Sequence, residues 1–344
     1  MGNISDIQIP AMPESFPKIR RDYPISEREN FLRMLRHEKP LWMPNFEESL
    51  QMGPAGPNED QPTPPRHDHT DWFGVYRKYS EAQDSCTPVG AVIDTVDDWK
   101  GKVIFPDLKG LDWTAGAADF ARDENRALVT RMNGGIFQRL HALLGFENAL
   151  VDMITKPAET REFLEALADF EIEVFLRMNE VHHYDVVIYH DDWGTARAPF
   201  FSTDLFKETL LPPTRRFFKA VREAGAIPFS HNCGLVEDLI PFLVDDIGVD
   251  GVEIQSINDI GGIVKNYGDR LTVEFTRPDD YFFYDPKTTE KQIREKAREY
   301  VDRYGAHANP GAGAIVTIYA PSREVYDAFY GEVYQYSREQ YRGL

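Results

Sequence analysis

Cysteine is nearly absent: Cys86 and Cys233 are the only two in 344 residues. Two thiols cannot build a disulfide framework, and a chain of this length can bury a core without one. Positive charge is also scarce. Lys plus Arg total 38 against 57 for Asp plus Glu, a formal charge of −19. Such a field repels nucleic-acid backbones and anionic membrane surfaces, so neither is expected as a partner. No apolar run reaches the roughly 18 residues of a membrane helix. The opening MGNISDIQIPAMPESFPKIRRDYP has no apolar stretch of the secretory kind, and Asp6 stands where a myristoylation motif needs Ser or Thr. The expectation is a soluble cytoplasmic protein. No G-x-G-x-x-G follows the first expected strand, which argues against a dinucleotide fold.

What is present is a full complement of core residues, 42% of the chain, which excludes wholesale disorder. Residues 1–25 are polar and proline-punctuated and read as an arm. Ser26 and Glu29 have capping-box spacing before Phe31, Leu32 and Leu35, so a helix starts there and stops at Pro40. Residues 53–66, GPAGPNEDQPTPPR, cannot form helix or central strand and read as an insertion, a lid or an arm. Signals over 71–107 are mixed. Beyond Asp119 short apolar runs alternate with helical patterns. Strands are predicted at 42–46, 128–132, 186–189, 227–230, 252–257, 271–275 and 314–319, with helices over 136–154, 158–181, 203–224, 235–244, 260–267 and 288–304 and a last one opening at Pro321 and Ser322. Alternation of this kind implies βαβ units and a parallel sheet. One more strand within 71–107 would give eight, so the expected fold is α/β, a single (β/α)8 TIM barrel over 26–344.

Chemistry in such a barrel sits where strands end C-terminally. One strand ends in Asn133-Gly134-Gly135, another in His190-Asp191-Asp192-Trp193-Gly194, a third in His231-Asn232-Cys233-Gly234. The next two carry Glu253 with Gln255, then Glu274 followed by Arg277. Titratable groups from four consecutive strands converging on one face argue for an enzyme. His231 and Cys233, a borderline-soft pair two positions apart, suit zinc. The alternative is a core cysteine beside a hydrogen-bonded histidine. A catalytic zinc needs a third protein ligand, and Glu253 and Glu274, each in an apolar strand, are the candidates; the alternative for each is a buried ion pair, with Arg277 as an available partner. His190, Asp191 and Asp192 are the candidate catalytic residues. Side chains alternate along an extended segment, so two of the three point inward. One carboxylate could then accept a proton or bind substrate, while a helix-capping Asp pair with a structural Trp193 is the alternative. Asn133, Trp193, Gln255 and Arg277 are the candidate substrate-binding residues.

Other chemistry-bearing residues read as structural. His182 and His183 end a helix, His67 and His69 flank Asp68 in a polar loop, and Cys86 has no nearby histidine in sequence. Tyr326, Tyr330, Tyr334 and Tyr341 fall near one face of the last helix, a packing face or a homodimer contact.

The run YHDDWGTARAPFFSTDLFKETLLPPTRRFFKAVREAGAIPFSHNCG, with its D-x-W-G strand end, F-x-S/T-x-x-x-F helix start, E-A-G helix end and H-x-C-G, resembles the uroporphyrinogen decarboxylase superfamily. RHEKP and DWFGVYRKY resemble it too, so the likeness covers roughly residues 26–340. It implies a (β/α)8 barrel and two possible chemistries. The cofactor-free decarboxylase grips a tetrapyrrole polyacid through an R-x-x-G-R run, where this chain reads WMPNFEESLQMGP without arginine. The other chemistry, closer in pattern, is corrinoid-dependent methyl transfer or demethylation. It implies His231 and Cys233 as zinc ligands. The substrate would be a small O-methyl or N-methyl compound, and a partner protein would carry the corrinoid, since no cobalamin-binding D-x-H-x-x-G occurs here. The later cysteine common in that branch is missing from GAGAIVTIYAPS, so either a carboxylate, Glu253 or Glu274, takes its place or zinc binding is weakened or lost. A barrel that only binds a ligand or partner is the non-enzymatic alternative.

Overall fold

Runs such as VVIYH at 186–190 and GVEIQ at 251–255 form strands that are buried almost throughout, as expected of a parallel sheet covered on both faces. The computed structural model describes residues 22–58, 65–82, 84–276 and 278–344. It divides into two compact units, one spanning Leu50–Asp259 and the other joining the segment up to Ser49 with Ile260–Leu344.

The Leu50–Asp259 unit holds β1 (Leu50–Met52), β2 (His69–Thr70), β3 (Tyr76–Ser80), β4 (Ser85–Pro88), β5 (Ala127–Asn133), β6 (Val186–His190), β7 (Ile227–Asn232) and β8 (Gly251–Gln255). Strands β1, β5, β6, β7 and β8 pair in that order, all parallel, with helices between them. The connecting helices pack by apolar stripes: Phe163, Leu164, Leu167, Val174 and Phe175 are the buried face of Pro157–His182. The helix expected over 136–154 is two, Ile136–Leu144 and Phe146–Thr155, and that over 203–224 is also two, Thr203–Thr209 and Leu211–Glu223. The eighth strand expected within 71–107 is not a member of this parallel series. That region instead supplies β3 and β4, an antiparallel pair that with β2 makes a separate three-stranded sheet. Asp71 organises its start, accepting from the N–H groups of Phe73 and Val75, both at 3.0 Å.

The other unit contains β9 (Thr272–Thr276) and β10 (Ala314–Thr317), a parallel pair. The strand expected at 42–46 is not formed. Side chains take its backbone groups in place of a ladder: Asn30 Nδ2 donates to the Trp42 carbonyl, Leu41 N–H to Asn30 Oδ1, and Met43 N–H to Ser337 Oγ. Trp42 stacks on Tyr23, with ring centroids 4.8 Å apart. The first helix is Glu27–Leu35, capped by Ser26 as its spacing predicted. Tyr326, Tyr330, Tyr334 and Tyr341 are all buried, so they are a packing face of this unit. Their hydroxyls are used locally: the Tyr330 oxygen accepts from Ile318 N–H, the Tyr341 oxygen from Ala306 N–H. Among the described residues, no helix is long and apolar enough to cross a membrane.

Candidate active site

Strand register builds the site. Asn133 on β5 pairs with His190 on β6, His190 with His231 on β7, and His231 with Glu253 on β8. In-register neighbours on parallel strands share a face, so four polar side chains lie in one row at the C-terminal end of the unit's sheet.

Past this row the chain turns. His190 and Asp192 point to the same side and Asp191 to the other, as alternation requires. Four ligand-type groups then gather: His190, Asp192, His231 and Cys233, with their donor atoms all within 4.8 Å of one another. His190 Nε2 lies 3.1 Å from Asp192 Oδ2, and His231 Nε2 lies 3.6 Å from Asp192 Oδ1 and 3.5 Å from Cys233 Sγ. Asp192 Oδ1 also accepts the Cys233 N–H at 2.8 Å, and Asp192 Oδ2 accepts from Gln138 Nε2 at 3.0 Å. Burial works to raise the Asp192 carboxyl. The His190 hydrogen bond, the His190 and His231 charges and the Cys233 N–H outweigh it and hold that carboxyl well below the ordinary range.

The donor set fits zinc. Bonds of about 2.0–2.3 Å in a tetrahedron put ligand atoms roughly 3.3–3.8 Å apart, so the cluster needs only small side-chain adjustments to close on an ion. Two imidazoles, a thiol and a carboxylate are ligands that zinc accepts. Among the described residues this is the one such grouping.

Neither of the two glutamates expected to supply a third ligand is a member of this grouping. Glu253 faces the opposite nitrogen of His231, its Oε1 3.0 Å from Nδ1, because the two are register neighbours. Arg131 Nη2 donates to Glu253 Oε2 at 2.7 Å. Burial opposes ionisation of Glu253, but the His231 and Arg131 charges hold its carboxyl well below the usual range. Glu274 is fully buried on β9, in the other unit. The cluster instead contains His190 and Asp192, the two inward members of the trio.

Asp191 faces away from the cluster and is 1% exposed. Its carboxylate accepts from the N–H groups of Phe137 (3.1 Å) and Gln138 (2.9 Å) at the start of the helix Ile136–Leu144. Burial pushes it up to about 7 even so. A Cβ on Gly135 would fall 2.5 Å from the Asp191 Cβ, so glycine is required there. The glycines of D-x-W-G and H-x-C-G answer each other in the same way. Gly234 has φ +80°, and a Cβ on it would overlap the Gly194 carbonyl. Trp193, expected at the substrate, is fully buried against Phe206, centroids 5.0 Å apart. Gln255 accepts the Gly234 N–H at 3.0 Å and so supports the turn after Cys233. Arg277 lies outside the described residues.

A cavity of about 470 Å³ opens beside the cluster, lined by Asn133, Gln138, His190 and Asp192 on one side. His69, Asp71, Arg77 and Cys86, from the three-stranded sheet and its approach, line it too. Cys86 therefore has a histidine that its sequence neighbours did not reveal: its Sγ lies 3.9 Å from His69 Nδ1. Arg131 and Gln138 escaped the sequence reading. Arg131 had a signal, a cation within the apolar run ALVTRMN two residues before Asn133 and so on the same face. Gln138 had none, since nothing local distinguishes it from a solvated helix residue.

The model of the family described as uroporphyrinogen decarboxylase (URO-D) matches residues 79–319. The chain belongs to the uroporphyrinogen decarboxylase family. Its fold is accordingly the α/β barrel type of that family, a family of enzymes. The match takes in β5 to β10 and every member of the cluster. No curated protein matches the chain.

Proposed function

We propose that this family member is a zinc-assisted methyltransferase that moves a methyl group from a small O-methyl or N-methyl compound to a corrinoid carried by a partner protein. The supporting observation is the mixed N, O and S donor cluster beside a cavity at the C-terminal strand ends. His231, Cys233 and Asp192 would hold the ion, with His190, which lines the cavity, left to face the substrate. When bound, zinc supplies Lewis acidity at the heteroatom bearing the methyl group, and the partner's corrinoid supplies the Co(I) nucleophile.

The chain's own residues do the rest. Glu253 fixes the His231 ring from its Nδ1 side and Arg131 neutralises Glu253. Gln138 holds Asp192. As the carbon–heteroatom bond breaks, its electron pair stays with the heteroatom, which takes a proton; His190 Nε2 is placed to give it. Asp192 is held ionised and serves as ligand and orienter.

The test is metal content by elemental mass spectrometry, paired with formation of methylcobalamin from Co(I) cobalamin and a panel of methyl ethers and methylamines. About one zinc per chain, lost in Cys233→Ser together with turnover, is expected. Metal-free protein that releases carbon dioxide from a tetrapyrrole acid would replace this reading with decarboxylation.

A further inference from the structure

Two arginines share one carboxylate at the wall of the cavity. Arg77 Nε donates to Asp71 Oδ2 at 2.9 Å, and the buried Arg139 donates Nη1 to the same oxygen at 2.6 Å. The other oxygen, Oδ1, is occupied by the Phe73 and Val75 N–H groups. Arg139 is covered, 3% exposed at its side chain and set over the Phe73 ring. Arg77 lines the cavity with its side chain 20% exposed. The two Nη groups of Arg77 have no partner among the described residues, so four of its five N–H donors remain in fork geometry. A guanidinium in that state matches a carboxylate in bidentate fashion. His141 completes this wall. Burial, together with Arg77, lowers its imidazole to about 4, so it adds no charge to the wall at neutral pH and can hydrogen-bond as a neutral ring.

We propose that Arg77, at the cavity wall formed by β3, is an anion subsite that binds the carboxylate of a small methylated acid whose other end reaches His190 and Asp192. The proposal rests on the methyl-transfer reading for that second end, while the carboxylate half stands on Arg77 alone.

The test uses two acid–amide pairs, benzoate with benzamide and propionate with propionamide, titrated calorimetrically into the full chain, as purified and after chelation. A charge-assisted hydrogen bond is worth enough to favour an acid by about tenfold or more. At least one acid should show that preference, before and after chelation. It should fall to near one in Arg77→Met, survive partly in Arg77→Lys, and persist in Lys78→Met, which removes an exposed cation on the same strand. Binding of neither acid, equal affinity for acid and amide, or an unchanged preference in Arg77→Met would overturn the subsite. Methyl transfer to Co(I) cobalamin is measured separately. Acid preference without transfer would defeat only the proposed function, and transfer from neutral ethers without acid preference would defeat only the subsite.

Discussion

The Glu253 carboxylate grips His231 at Nδ1, 3.0 Å away, on the side of the ring opposite Cys233. A carboxylate in that position fixes both ring orientation and tautomer, leaving Nε2 to face an ion. Glu253→Gln should therefore weaken zinc by 10- to 100-fold, a typical cost for such a partner. Competition against a chromophoric chelator reads the affinity, and a far-ultraviolet spectrum matching the parent shows that the fold is intact. Unchanged affinity would remove Glu253 from the site.

Asp191 is predicted to matter for stability more than for ligands. It caps the helix Ile136–Leu144 through two backbone N–H groups and has no exposed edge. Asp191→Ala should cost about 1–3 kcal/mol in chemical denaturation. Zinc content in the folded fraction should match the parent. Loss of zinc without loss of stability would return Asp191 to the chemistry.

The Gly194–Gly234 approach makes another stability prediction. Gly234→Ala must place a Cβ against the Gly194 carbonyl while holding φ near +80°. Backbone strain and overlap of this kind cost about 2–4 kcal/mol, so the unfolding midpoint should fall clearly. An unchanged midpoint would mean that the turn after Cys233 can relax.

A pH dependence follows from His141. Its folded value is lowered from 6.5 to about 4, by burial first and Arg77 next, against the opposing charge of Asp192. Between those values the unfolded chain binds more protons than the folded one, so stability rises with pH across that window. The contribution is complete above about 6.5 and is lost as pH falls through 4, by at most about 3 kcal/mol. In His141→Gln the denaturation midpoint should vary less with pH between 4 and 6.5. An identical slope would show that this imidazole titrates normally.

Much of the site was legible because strand ends are legible. VVIYH, IPFSHN and GVEIQ announce where apolar runs stop, and the polar residues at those stops share a row. Which nitrogen of His231 meets Glu253 was not legible, since that depends on register between strands rather than on either sequence. The same gap hid Asp192 as a member of the cluster. Asp192 reaches Cys233 only because β6 and β7 end side by side. The failed strand at 42–46 has a different cause. Its apolar run is genuine, but Asn30 and Ser337, distant in sequence, satisfy the backbone groups that a ladder would have used. Cys86 and His69 lie 17 residues apart and meet only when the β2–β4 sheet forms.

The row Asn133, His190, His231 and Glu253 has a consequence for how this active site can change. Each member belongs to a different strand, and lateral steps between strands are fixed at about 4.8 Å by the ladder. Deleting one residue within a strand cannot slide its functional group by a fraction of that step. It exchanges the group for its neighbour, which faces the helices instead. Substrate range should thus shift by substitution along the row and by remodelling the β2–β4 sheet, while the lateral spacing of the reacting groups stays constant.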